Sequence, residues 1–302
     1  MTWPRRVEIT ESSPRDGLQS LGAFVPTDAK IRLIEDLSVA GLVSFDAVSF
    51  VSPAAVPQMA DGSDVVAGVA RSGITLNGIV PNLKGLEAAL DVRIDRIGVL
   101  TAASDSFNQR NINATVEESL SRIRAILAGV PEGLGVRAYI STATHCPYEG
   151  RTDPSRVAFL AETLLEWGCD EVFLGETIGK ATVADVERLL EVVTASVPVE
   201  HLGMHLHDTY GQALANVVSS LERGIWRFDA SAGGLGGCPY APGASGNVAT
   251  EDLMWLLDGL GIDHAGEIEP VARVAEEFCR SQQLQYRSRA GRALLAALPE
   301  CP

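Results

Sequence analysis

The chain has 302 residues, 46% of them hydrophobic and 21% charged, the profile of a globular protein large enough to bury a full core without staples. A formal charge of -15 argues against a general affinity for nucleic acid or an anionic membrane, since both need clustered Lys and Arg. Five cysteines, odd in number, scattered and not in CxxC pairs, indicate neither a disulfide framework nor a zinc knuckle and fit a reducing compartment.

In chain order, the opening MTWPRRVEIT lacks an apolar core of signal-peptide length, and no later run reaches membrane-spanning length. The expected location is the cytoplasm. Apolar, strand-like runs then recur near 5–12, 44–50, 74–80, 96–102, 136–142, 171–176, 199–207 and 226–231. Between most of them lie amphipathic stretches of helical period, over 27–40, 115–128, 154–167, 183–195 and 212–223. Asp153-Pro154 reads as a cap followed by a Pro in the first helical turn, and Gly41, Gly168 and Gly224 stand where helices should end. Strands alternating with helices imply a parallel sheet with crossover helices. Eight such units match an α/β fold of the (β/α)8 TIM-barrel type, spanning about 5–262, with the stretch from Thr250 onward expected as additional helices and a C-terminal helical extension at about 263–302. An open doubly wound sheet is the alternative. No linker, low-complexity tract or sequence repeat interrupts the chain, so a single catalytic domain over 1–302 is expected.

Barrel enzymes place their chemistry at the C-terminal strand ends. Here the first strand runs into Glu11-Ser12-Ser13-Pro14-Arg15-Asp16-Gly17, the second into Asp46 and Ser49, the sixth into Glu176-Thr177 and the seventh into His205 and His207. The two imidazoles, two positions apart on a strand, point to one side. Asp16, His205, His207 and Asn247 form a mixed oxygen and nitrogen ligand set for a divalent cation, Mg²⁺ or Mn²⁺, with imidazole shifting preference toward Mn²⁺; hydrogen-bonded structural histidines are the other reading. A structural zinc site would want more thiolates than Cys238 supplies. Arg15 beside Asp16 reads either as a surface ion pair or, given Pro14 and Gly17, as part of a shaped loop in which Asp16 holds the cation and Arg15 donates to a developing oxyanion. Gln19 and Ser49, close to these ends, are expected with Arg15 to contact substrate. GGLGGCPYAPGASGN has the wrong spacing for a dinucleotide fingerprint and lacks a P-loop Lys. It reads as a mobile loop bringing Cys238 to a water-poor site, or as a tight turn with a buried Cys. Arg287, Arg289 and Arg292 read as a solvated basic face.

SPRDGLQS, SFVSPAAVPQMAD, PNLKGLEAA, CPYEG, HLHDTYGQALAN and GGLGGCPYAPGASGNVATEDL together resemble the 3-hydroxy-3-methylglutaryl-CoA lyase family, part of a metal-dependent TIM-barrel superfamily that includes Claisen-type acyltransferases. The resemblance runs nearly the whole chain. It implies a metal held by Asp16, His205, His207 and Asn247, Arg15 on the acyl-CoA carbonyl, Cys238 on the catalytic loop, a homodimer, and retro-Claisen cleavage of the thioester to acetyl-CoA and acetoacetate. His205 and Cys238 are its candidates for moving protons. Two departures stand out: Asp46 replaces the family's usual Glu, and Glu176 in GETIG replaces its Asp. If both carboxylates face the cavity, the exchange reads as compensatory. With His145 and Ala230 also unusual, it further suggests a related branched 3-hydroxyacyl-CoA as substrate. A condensing acyltransferase and a catalytically silent metal-binding paralogue are the remaining alternatives.

Overall fold

A computed structural model describes residues 3–237 and 246–297. Eight parallel strands close into a barrel in sequence order: β1 (Glu8–Glu11), β2 (Ser44–Ser49), β3 (Thr75–Ile79), β4 (Arg96–Ala102), β5 (Gly135–Ser141), β6 (Glu171–Glu176), β7 (Leu202–Leu206) and β8 (Arg227–Ala230). Closure is made by β1 against β8, with Glu8 opposite Arg227 and Glu11 opposite Ala230. Strands β2, β6 and β7 are buried along their whole length, as expected where helices cover one face of a barrel and side chains fill the other.

The covering helices are α1 (Thr27–Val39), α2 (Gly62–Gly68), α3 (Leu83–Asp91), α4 (Asp105–Ile112), α5 (Val116–Leu127), α6 (Pro154–Glu166), α7 (Val183–Val193), α8 (Ala213–Glu222) and α9 (Thr250–Leu260). Their ends follow the sequence signals. Asp153 accepts from the Ser155 amide to cap α6, whose first residue is Pro154. Gly41, Gly168 and Gly224 all adopt left-handed φ angles just past helices. Helix α9, expected as an addition to the barrel, is instead its eighth crossover helix, because the long glycine-rich connection after β8 delays it. Among the described residues, α10 (Ile268–Ser281) and α11 (Arg289–Ala297) are the helices beyond the eight units. Among the described residues no helix is long and apolar enough to cross a membrane.

Charge closes one end of the barrel. Arg137 is almost wholly buried, pairs with Glu171 at 3.1 Å, reaches Asp229 at 3.4 Å and lies 3.9 Å over the Phe173 ring. Arg96 adds a second pair to Glu171 at 2.8 Å. Buried charges persist only when paired in this way. The opposite end, at the C-termini of the strands, stays open and holds a cavity of 550 Å³.

Candidate active site

The site begins where β1 ends. Ser13–Gly17 form one π-helical turn with Pro14 in its first positions. Glu11 fixes this turn, since its buried carboxylate accepts from the Ser13 amide at 2.8 Å, the Ala232 amide at 2.9 Å and the Thr250 hydroxyl at 2.6 Å. One side chain thereby ties together the ends of β1, β8 and the start of α9. The turn projects Arg15 and Asp16 into the mouth, so the pair belongs to a shaped loop and not to an exposed ion pair.

Arg15 is clamped. Its Nε donates to Asp46 Oδ2 at 2.7 Å, its Nη2 donates to the same oxygen, and its Nη1 donates to Asp16 Oδ1 at 2.8 Å. These bonds occupy three of the five guanidinium N–H groups and leave two for a ligand. Burial works against the charged guanidinium, but Asp46 and Asp16 more than offset it and raise the Arg15 pKa above its ordinary value.

Asp16 Oδ2 lies 4.0 Å from His205 Nε2 and 3.8 Å from His207 Nε2, and the two imidazole nitrogens are 3.2 Å apart. These three residues form a group able to hold a metal ion, the single such group among the described residues. Burial alone would raise the Asp16 carboxyl; the Arg15 guanidinium and the two imidazoles hold it well below the usual range. Burial, together with His205, pushes His207 down to about 4. The donor set suits a divalent cation. His205 Nδ1 is 3.0 Å from Asp229 Oδ2, the carboxylate-to-histidine contact that orients a ligating imidazole and leaves Nε2 free. Two imidazole nitrogens facing one carboxylate repel each other unless a proton or cation lies between them.

Asn247 joins from the far side of the glycine-rich segment. The Val248 amide donates to Leu206 O and the Asp208 amide to Gly246 O, both at 3.0 Å, which lays residues 246–248 against the end of β7. Asn247 Nδ2 then donates to Asp16 Oδ2 at 2.8 Å and to Leu235 O at 3.2 Å. Its Oδ1 remains as a possible ligand atom. The described glycines of this segment shape the backbone: Gly233, Gly234 and Gly236 have φ of 70°, 64° and 125°, and a Cβ on Gly236 would sit 2.6 Å from Asn247 Nδ2. Arg287 is drawn in as well, donating from its amide to Gly233 O at 2.8 Å and from Nη1 to Gly236 O at 3.2 Å, and Arg289 reaches Asp208 at 3.1 Å. Arg287 therefore ties the C-terminal segment to the mouth, whereas Arg289 and Arg292 are exposed, as the solvated face suggested by the sequence requires. Cys238 lies outside the described residues.

The open cavity is lined by Gln19 and Ser49 as well as Arg15, Asp16, His205 and His207. Asp46 stands behind Arg15. Glu176 faces the β6–α7 loop, accepting from the Lys180 and Ala181 amides at 3.1 and 3.2 Å and from Thr144 Oγ1 at 3.2 Å. Burial raises its pKa to about 7. Asp46 and Glu176 thus share no partner, and the expected compensatory exchange between them has no structural counterpart. His145 sits in a small hairpin with Arg151 and is not part of the cavity wall. Two important residues give no signal in the sequence. Asp229 lies in the last strand-like run, and its role emerges only when β8 pairs with β7, placing it opposite His205. Tyr139 lines the cavity, its ring 6.4 Å from His205 and edge-on to it.

Comparison with known proteins agrees with this geometry. Residues 6–277 match the HMGL-like family. A Pseudomonas aeruginosa protein named 3-hydroxy-3-isohexenylglutaryl-CoA/hydroxy-methylglutaryl-CoA lyase is 47% identical over 98% of this chain and 99% of its own length. The Homo sapiens mitochondrial hydroxymethylglutaryl-CoA lyase is 44% identical, covering 97% of this chain and 90% of its own. Among solved structures, the hydroxymethylglutaryl-CoA lyase of Pseudomonas aeruginosa superimposes with a TM-score of 0.95 at 46% identity, covering 99% of this chain and 100% of that one. An Acinetobacter baumannii HMG-CoA lyase, solved with coenzyme A and 3-methylmalate, gives 0.93 at 34% identity over 100% of both chains.

Proposed function

Because the chain belongs to the HMGL-like family, we propose that it is a divalent-metal-dependent carbon–carbon lyase that cleaves 3-hydroxy-3-methylglutaryl-CoA to acetyl-CoA and acetoacetate. The observation that carries this reading is the convergence of Asp16, His205 and His207 beside a clamped Arg15 at the open end of the barrel. Asp16, His205, His207 and Asn247 would hold Mg²⁺ or Mn²⁺. The cation would lower the pKa of a substrate hydroxyl, as it does for bound water.

The remaining chemistry belongs to the protein. The C3 hydroxyl gives its proton to water in the open cavity, the C3 oxygen closes to a ketone as the bond between C2 and C3 breaks, and the electron pair passes to the thioester, whose oxygen takes up negative charge. The two Arg15 N–H groups not used by carboxylates would donate to that oxygen, and the clamp by Asp46 and Asp16 means little reorganisation is needed as charge develops. Gln19 and Ser49 contact the acyl chain from the cavity wall. Asp46 acts as a positioning residue through Arg15, and Glu176 acts through the loop it holds. Since His205 Nε2 is the atom offered to the cation, we assign protonation of the released carbon to Cys238. The same reading carries an acyl-CoA partner, a homodimer, a cytoplasmic setting and one catalytic domain. By analogy with the Pseudomonas relative's name, a branched thioester with a longer C3 substituent is a second substrate.

The test is acetyl-CoA release from 3-hydroxy-3-methylglutaryl-CoA by metal-stripped protein, with Mg²⁺ or Mn²⁺ added back and Asp16→Asn as control. Restored cleavage that the substitution abolishes is expected; absence of turnover in protein that has rebound metal would refute the lyase reading.

A further inference from the structure

Next to the site cavity lies a second one of 310 Å³, between the loops that follow β2 and β3 and the helices α4 and α5. Val51, Ala55, Val56, Leu100, Asn111 and Ile112 line both spaces, so the two adjoin. We propose that this side chamber receives the apolar C3 substituent of substrates larger than the methylglutaryl thioester. The inference rests on the lyase reading and names the part of the molecule that sets its acyl range.

The chemistry of the wall selects the ligand. Val80 and Ile123 add to the apolar lining and are themselves almost fully buried. Ser119, Asn82 and Arg122 of the wall are engaged within the protein. Ser119 Oγ donates to Val116 O at 2.7 Å and lies 2.7 Å from Thr101 Oγ1. Asn82 Oδ1 accepts from the Gly85 amide at 3.0 Å as the cap of α3. Arg122 closes the far end by donating to Ile112 O and Asn113 O at 3.0 and 3.1 Å. Nine of the sixteen lining residues are apolar and Arg110 is turned onto the Tyr148 ring at 4.3 Å, so a hydrocarbon substituent gains contact and loses water there. The residues that depart from the family pattern, Asp46, Glu176 and His145, do not line this chamber. The room lies elsewhere in the fold.

Burial of each added methylene in such a chamber is expected to raise kcat/KM about fourfold until the space is filled. The experiment measures steady-state cleavage, with saturating Mg²⁺, of a series of 3-hydroxy-3-alkylglutaryl-CoA thioesters from methyl to hexyl. Wild-type protein is compared with Ser52→Trp and Ile123→Phe, which fill the chamber from opposite walls. Neither residue lines the site cavity, and Ser52 is exposed, so at least the first variant should fold normally. In the wild type KM should fall as the substituent lengthens. In the variants the long members should lose tenfold or more in kcat/KM, while the methyl compound stays within about twofold. Cleavage of the methyl compound with none of the hexyl compound would overturn the inference and leave the lyase reading intact. So would equal losses on all substrates in folded variants, since the chamber would then serve the shared CoA arm. No cleavage of any member would remove both.

Discussion

At the residue scale, the site is a set of charged side chains whose positions are fixed by other charged side chains. Asp229 stands outside the group of three that can hold a metal, yet its bond to His205 Nδ1 orients that imidazole. Asp229→Asn should weaken cation affinity about 10- to 100-fold, measured by calorimetric titration with Mn²⁺, with a smaller effect on kcat at saturating metal. Arg15→Met removes both the free donors and the partner of two carboxylates, and a fall in kcat of about 10²- to 10³-fold is expected. Asp46 and Glu176 give a different kind of test. With no shared partner, the effects of Asp46→Glu and Glu176→Asp on kcat/KM should add in the double variant to within about 0.5 kcal/mol. A double variant restored toward wild-type activity would show that the two carboxylates are coupled after all.

At the element scale, the connection after β8 is held by contacts from several directions. Its backbone is pinned by Glu11 from β1, by Glu251 from α9, whose carboxylate accepts from the Gly233 amide at 3.0 Å, and by Arg287 from the segment between α10 and α11. Tyr286 completes the arrangement by donating to Glu251 at 2.9 Å. The C-terminal segment therefore reaches the site through the backbone that carries Asn247. Gly236 is the point of least tolerance: its φ of 125° is unfavourable for other residues and it packs against the Asn247 amide. Gly236→Ala should cost about 1–3 kcal/mol of stability by chemical denaturation and should also lower cation affinity, because the new methyl displaces Asn247 from Asp16.

Across the whole molecule, buried carboxylates give stability an asymmetric dependence on pH. Burial raises Glu251 to about 8 and Glu176 to about 7 from an ordinary value of 4.5. In the unfolded chain both ionise near pH 4.5, whereas in the folded protein they keep their protons. The folded state then binds more protons, and stability falls as pH rises from about 5 toward 8. Carboxylates shifted the other way, such as Asp185 and Asp105, have lowered pKa values and lose their contribution only in acid, below about pH 4. The melting temperature is expected to peak in mildly acidic buffer and to decline into the alkaline range, and Glu251→Gln should flatten that decline. A melting temperature that rose steadily from about pH 5 to pH 8 in the wild type would contradict the assignment.

The features legible in the sequence are those set by local periodicity and by neighbours in the chain. Strands and helices announce themselves because a residue's face in either element depends only on spacing, and Asp153-Pro154 and Gly224 mark boundaries because caps are local. His205 and His207 can be paired for the same reason. Arg15 and Asp16 are recognisable from the shape of their turn. The remaining relations join residues far apart: Asn247 to Asp16, Asp229 to His205, Arg15 to Asp46, and α9 to the barrel it completes. Asp229 meets His205 only when β8 pairs with β7, Arg15 meets Asp46 only when β1 pairs with β2, and Asn247 reaches Asp16 only when β1 and β8 close the sheet. Tertiary packing likewise gives Asp46 and Glu176 separate partners and leaves the chamber beside the mouth, because a cavity is defined by walls from several elements and has no signature in any one of them.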